Sequence, residues 1–236
     1  MSGTSRLGAA SVIVFALTGL VEFALELAPQ VYGFADTDSP AVSLQYLHEH
    51  PYIYAWAGVI LLVMAISLVI GALHLSDVLR PGATALAVRS TTVFGLLAAA
   101  SFFGHGVLRL GVGPLLYIDG LDPDWGEAAY LVVQIVGIRG FAQAAITALC
   151  VWAIGVSLIG LRTRVIPTLV CALGIIPAIR LLGILGPLGA LDALPDVAWI
   201  LFMLSIPGVY LWCLILGIAV LRRGRVALTH RATATA

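Results

Sequence analysis

Between residues 51 and 75 the chain reads PYIYAWAGVILLVMAISLVIGALHL, a stretch without one Asp, Glu, Lys or Arg. A run of about 20 apolar residues matches the roughly 30 Å of hydrocarbon in a bilayer, at a helical rise of about 1.5 Å per residue. Comparable segments lie at about 7 to 28, 91 to 112, 140 to 161, 165 to 187 and 197 to 221. In hydrocarbon every backbone N–H and C=O must be paired internally, so such runs fold as helices or as strands of a closed barrel. Strict apolar/polar alternation and Asn-Gly turns are missing, which argues against a barrel. The expected fold is all-α: a polytopic membrane protein, a six-transmembrane-helix bundle forming one membrane domain over residues 1–236.

Composition agrees and excludes several classes. Apolar residues make up 61% of the chain and charged residues 10%, a balance that no ordinary water-soluble domain shows. All 12 basic residues are Arg. Without Lys there is no Schiff base, and so no retinal. Zero net charge offers no basic surface to nucleic acid. Cys150, Cys171 and Cys213 stand inside apolar runs with no C-x-x-C pair, and read as small core residues. The first segment follows Arg6 as a signal sequence would, but its apolar stretch is too long and no A-x-A site follows.

The arginines give an orientation. Nine lie in four connections: Arg6, then Arg80 and Arg89, then Arg162 and Arg164, then Arg222, Arg223, Arg225 and Arg231. The alternate connections hold none and carry instead Asp36, Asp38, Glu49, Asp119, Asp122, Asp124, Glu127, Asp192 and Asp196. The positive-inside rule then places both termini in the cytoplasm. Tyr46, Tyr52, Tyr54, Trp56, Tyr117, Trp125, Tyr130 and Trp199 gather on the acidic side, where amphipathic rings anchor an outer interface. Two connections exceed simple turns. Residues 29–51 are expected to hold a short interfacial helix around VSLQYL. The helical run from Glu127 to Leu161 is longer than a bilayer needs, so it either projects or bends near Gly137 and Gly140.

Five charges remain inside the spans: Glu22, Glu26, Arg109, Arg139 and Arg180, joined by His105. An ionised side chain at the bilayer centre costs roughly 2.5 to 3.5 kcal/mol on insertion scales, so these groups are expected to face one another. Helical phase supports convergence. Ser11, Thr18, Glu22 and Glu26 share a stripe on span 1, as do Ser101, His105 and Arg109 on span 3, and Arg139, Gln143 and Thr147 on span 4. Glu26 and Arg109, near their helix ends, are able to snorkel toward water. Span 2, with only Ser67 near its middle, is expected to be the most lipid-exposed helix. Pro177 frees the carbonyl of Leu173 and should kink span 5 three residues before Arg180.

Local motifs add little chemistry. In HEHP, residues 48 to 51, His48 and His50 are a weak metal candidate, because two His at i, i+2 diverge on a helix and spacing fixes no third ligand. A solvated loop ahead of a helix-starting Pro51 is the plainer reading, with Asp36 or Asp38 the nearest residues to complete a site. His74 and His105 lie at opposite depths, which disfavours haem. No cofactor is implied.

GVSLIGLRTRVIPTLVCALGII, residues 155–176, and LFMLSIPGVYLWCLILGIAVLRRG, residues 201–224, carry a span, a tight basic turn, a proline and a further span, then a last helix with proline, tryptophan and a basic-glycine end. This pattern resembles a widespread bacterial family of six-helix integral membrane proteins catalogued as a domain of unknown function. The resemblance implies a fold and no activity. Where the family pattern has an acidic residue a few positions after Pro207, this chain has Tyr210.

The functional expectation is an outward-facing polar pocket within the membrane that binds a small anionic or amphiphilic ligand such as a lipid, a quinone or a carboxylate. Arg180 and Arg139 would hold the negative group, with Arg109 and Gln143 near it. Glu22 and His105 would orient it or accept hydrogen bonds, with Glu26 beside them, and Tyr210 would line the floor. Competing readings are an intramembrane enzyme using Glu22 and His105 as acid and base, and a small transporter, which the lack of an echo between the two halves disfavours. The plainest is that the charges are interhelical pairs and nothing more.

Overall fold

The computed structural model describes residues 3–31, 40–112, 123–182 and 195–234. The described residues are helical throughout apart from short turns. In chain order the elements are α1 (Gly3–Val31), α2 (Pro40–Glu49), α3 (Pro51–Leu79), α4 (Ala85–Val112), α5 (Pro123–Val133), a π-helical segment (Gln134–Ala142), α6 (Gln143–Thr163), α7 (Thr168–Ile175), a 3-10 turn (Ile176–Ala178), α8 (Ile179–Leu182) and α9 (Pro195–Ala234). Proline opens α2, α3, α5 and α9, where its missing N–H has no intrahelical acceptor to lose.

Among the described residues, five helices are long and apolar enough to cross a membrane: Arg6–Leu27, Tyr52–Leu79, Ala85–Gly111, Trp125–Thr163 and Leu204–Arg223. A shorter apolar helix covers Thr168–Ala178. The expected span at 165 to 187 therefore starts as predicted but is interrupted at Pro177, and its end lies outside the described residues. The carbonyl that Pro177 strips of its usual partner is not left open. Leu173 accepts the N–H of Ile176 instead, which tightens the chain into the 3-10 turn.

Neighbouring helices form a closed circuit: α1 packs on α3, α3 on α4, α4 on α6, α6 on α7, α7 on α9, and α9 back on α1. Facing residues show that the partners run antiparallel. Gly8 meets His74 and Gly71 meets Val12 between α1 and α3, while Gly19 meets Tyr210 and Gly217 meets Ile13 between α1 and α9. Aromatic rings fill the middle. Phe15 lies edge-on to Phe102 at 5.9 Å and to Tyr210 at 5.8 Å, and Trp152 to Trp212 at 5.8 Å. Cys150, Cys171 and Cys213 are buried and unbridged in this core.

α3 overturns the lipid-facing expectation. Half of its membrane window is buried, more than for α1, α4 or α9, and Leu61, Met64, Leu68, Leu75 and Leu79 are fully enclosed. At its α4 contact, Gly58 and Gly106 oppose each other so closely that a Cβ on Gly106 would stand 2.9 Å from the Gly58 carbonyl oxygen. Lipid tails and leucine are equally apolar, so a lack of polar groups says nothing about which helix meets lipid; small residues at close backbone contacts do.

At one end α2 and α5 lie on each other, with Tyr46, Leu47, Tyr54, Tyr130 and Val133 forming a second apolar cluster. At the opposite end Arg164 closes α6 in the left-handed region at φ 55. The guanidinium of Arg223 donates to the carbonyls of Arg164 and Val165, tying α9 to that turn. The Trp212 indole N–H donates to the Val170 carbonyl at 2.9 Å.

Candidate functional site

Glu22, Glu26, His105 and Arg109 come together at the end of the bundle that α2 and α5 cover. The helices that supply them, α1 and α4, are both neighbours of α3 and face each other across the interior, as the Phe15–Phe102 contact deeper down shows. Four-residue spacing sets each pair on one face of its helix, which is why two stripes legible in the sequence become one cluster.

Arg109 is its hub. The Nη2 group pairs with Glu26 Oε1, the Nε–H donates to His105 Nε2 at 3.0 Å, and the guanidinium carbon lies 5.0 Å from the centre of the Tyr54 ring. The guanidinium thus makes an ion pair, a hydrogen bond and a cation–π contact simultaneously. Its side chain is only 5% exposed, against 36% for Glu26. Snorkelling, open to Arg109 by its position near the helix end, is not what it does: it turns inward, because three partners lie there. Glu22 stands one turn further in, close enough to share a hydrogen bond with Glu26, and such a carboxyl–carboxyl bond requires one proton between the two.

His105 is 2% exposed. Because Nε2 accepts from Arg109, the ring proton of the neutral imidazole belongs on Nδ1. That nitrogen is buried and has no hydrogen-bond partner among the described residues. The opposite ring edge packs on Gly137 in the π-helical segment, where an added Cβ would come within 3.2 Å of His105 Cδ2 and of Leu108 Cδ2. Glycine is therefore the residue that admits the imidazole at this depth.

Several expected residues fall elsewhere. Tyr210 lies one layer deeper, buried in the apolar core against Phe15 and Gly19. Gln143 is half-buried at the start of α6. Arg139 belongs to the π-helical segment and Arg180 to α8, and the side chains of both lie outside the described residues. The hydroxyls of the first polar stripe turn back on their own helix: Ser11 donates to Leu7 O and Thr18 to Val14 O. His48 is exposed on the last turn of α2, and the His50 ring packs on Tyr46 with centroids 4.8 Å apart. Asp36 and Asp38 lie outside the described residues. No group of three His, Cys, Asp or Glu among the described residues is placed to hold a metal ion.

Some residues of the site carry a signal that was read differently. Tyr54 and Tyr130 were expected at the membrane interface with the other aromatics. Among the described members of that set, Tyr52, Trp56 and Trp125 are strongly exposed, whereas Tyr46, Tyr54 and Tyr130 are buried together above the charged cluster. The Tyr130 hydroxyl bonds the Gln134 amide one turn on and the Ser43 side chain of α2. The i, i+4 spacing of Tyr130 and Gln134 is the sequence cue for that link. Compared with protein-family models, with curated proteins and with solved structures, the chain matches none.

Proposed function

We propose that the protein is a membrane-embedded binding protein that takes a small amphiphilic molecule at the Glu22–Glu26–Arg109–His105 cluster. The observation that carries this reading is the buried Nδ1 of His105, a donor without an acceptor among the described residues, beside the Arg109–Glu26 ion pair. A buried unmet donor costs about 1 to 3 kcal/mol, more than a fold needs to tolerate for interhelical attachment alone, since the Arg109–Glu26 contact already joins α1 to α4. Apolar walls with a few convergent polar groups are the usual lining of a site for such molecules.

The proposal includes six spans, the fifth in chain order being the one expected at 165 to 187, of which α7 and α8 are the described part, and both termini in the cytoplasm of a bacterial inner membrane. The arginine count supports that orientation: Arg80, Arg89, Arg162, Arg164 and Arg223 all lie at the end opposite to the cluster. The cluster then opens outward, and the weak resemblance to six-helix families of unknown function is in keeping with the layout.

Native mass spectrometry of the protein extracted in mild detergent tests the reading. The wild type is expected to retain a small-molecule adduct, and His105→Leu, which keeps the Glu26–Arg109 pair, to lose it. A wild type free of any adduct, with no small amphiphile raising its melting temperature, would leave the cluster as an interhelical strut and end the proposal.

A further inference from the structure

We infer that the polar group of the bound molecule is an uncharged oxygen acceptor, such as a ketone, quinone or ester carbonyl, received by His105 Nδ1–H, and not an anion. This rests on the binding reading above and goes beyond it by naming the chemistry of the head group.

The inference follows from what each polar atom of the cluster already does. The Arg109 guanidinium, the cation that the described residues place in the cluster, is engaged by Glu26 through Nη2, by His105 through Nε and by the Tyr54 ring on its face. Two carboxyl groups stand against that one guanidinium, with Glu22 within hydrogen-bonding reach of Glu26. An incoming anion would therefore meet a cation already neutralised by Glu26 and would stand beside that carboxylate in surroundings of low dielectric, where like charges repel strongly. A neutral acceptor meets none of that. The donor left over is Nδ1–H, whose position is fixed by the bond that Arg109 makes to the other ring nitrogen.

The packing also says which way the ligand must come. Gly137 closes the Cδ2–Nε2 edge of the imidazole, so an acceptor must approach the opposite edge, where Nδ1 lies buried. The wall on the Cδ2–Nε2 side belongs to the π-helical segment Gln134–Ala142, a backbone form whose wide turns pack less well than an α-helix and recur next to functional sites. Glu26, the most exposed member of the cluster, marks the mouth. An apolar tail can then lie between helices while the carbonyl reaches inward.

Three matched amphiphiles test this in lipid nanodiscs: 2-tridecanone, dodecanoate and tridecane. Binding is read as the change in melting temperature and as the apparent Kd from tryptophan fluorescence. The wild type is expected to bind the ketone about tenfold more tightly than the alkane, the worth of a net hydrogen bond of about 1.4 kcal/mol, and the carboxylate no better than the alkane. Two variants separate the two ring nitrogens. His105→Asn keeps an amide N–H near the place of Nδ1 and is expected to retain most of the preference. His105→Gln sets its amide at the place of Nε2, keeping an acceptor for Arg109 but leaving no donor at the place of Nδ1, and is expected to bind ketone and alkane alike. Tighter binding of dodecanoate than of the ketone overturns the inference while leaving the binding reading intact. Equal ketone preference in wild type and His105→Gln overturns it as well. Failure of all three probes to bind the wild type would sink the binding reading itself.

Discussion

Arg109 holds Glu26, His105 and Tyr54 at once, and Glu22 waits one helical turn behind Glu26 on the same face. That redundancy has a measurable consequence. With Glu26→Gln the guanidinium loses its partner, but Glu22 is near enough to take over as counter-charge, so the variant is expected to lose about 1 to 2 kcal/mol of unfolding free energy. Glu22→Gln alone, which keeps a hydrogen-bonding partner for Glu26, should cost under about 0.5 kcal/mol. Replacing both leaves a buried cation uncompensated and should cost about 3 to 5 kcal/mol. Unfolding titrations in detergent micelles measure all three. A double variant no worse than the sum of the singles would mean that Glu22 does not act as a reserve partner. The membership of these four residues in one cluster was legible from spacing and from the cost of charge in hydrocarbon. Which arginine pairs with which glutamate was not, since Arg109, Arg139 and Arg180 satisfy the same rule equally well, and only the mutual placement of α1 and α4 selects Arg109.

Among the elements, the π-helical segment is the most informative. The run from Glu127 to Leu161 is longer than a bilayer needs, which leaves projection or a bend near Gly137 and Gly140 as the two expectations; the chain continues as helix from Pro123 to Thr163, with a nine-residue π stretch, Gln134–Ala142, that contains both glycines. Hydrophobic periodicity cannot distinguish the two outcomes, as both preserve an apolar surface. The two glycines should respond differently to substitution. Gly140 is open, with nothing nearer to an added Cβ than the Ile135 carbonyl oxygen at 3.7 Å, so Gly140→Ala is expected to be neutral or to stabilise by up to about 1 kcal/mol through helix propensity. Gly137→Ala presses on His105 and Leu108 at 3.2 Å. Its propensity gain and the contact should roughly cancel in stability, while the ring shifts, visible as a change in the His105 imidazole 15N resonances and as weaker ketone binding. Unchanged imidazole resonances in Gly137→Ala would contradict the packing described for that edge.

For the whole molecule, the orientation has a direct test that the buried native cysteines make clean, since Cys150, Cys171 and Cys213 are inaccessible to a membrane-impermeant maleimide. Tyr52 is 77% exposed at the cluster end, and Leu86 is 76% exposed at the other. Tyr52→Cys is expected to label in intact cells and Leu86→Cys only after lysis; the reverse pattern would invert the topology. Class and helix positions were readable in the sequence because hydrocarbon imposes length and apolarity on each span separately. The helix neighbours were not, because packing in a membrane is decided by small residues and ring shapes such as Gly58 against Gly106 or Gly19 against Tyr210, and those leave no periodic trace. The seam between α1 and α9 joins elements from the two ends of the sequence. During synthesis, then, a chain that has emerged only as far as α7 is a trough lying open to the bilayer, with Phe15 and Trp152 facing lipid, until the final helix swings in and seals the flank.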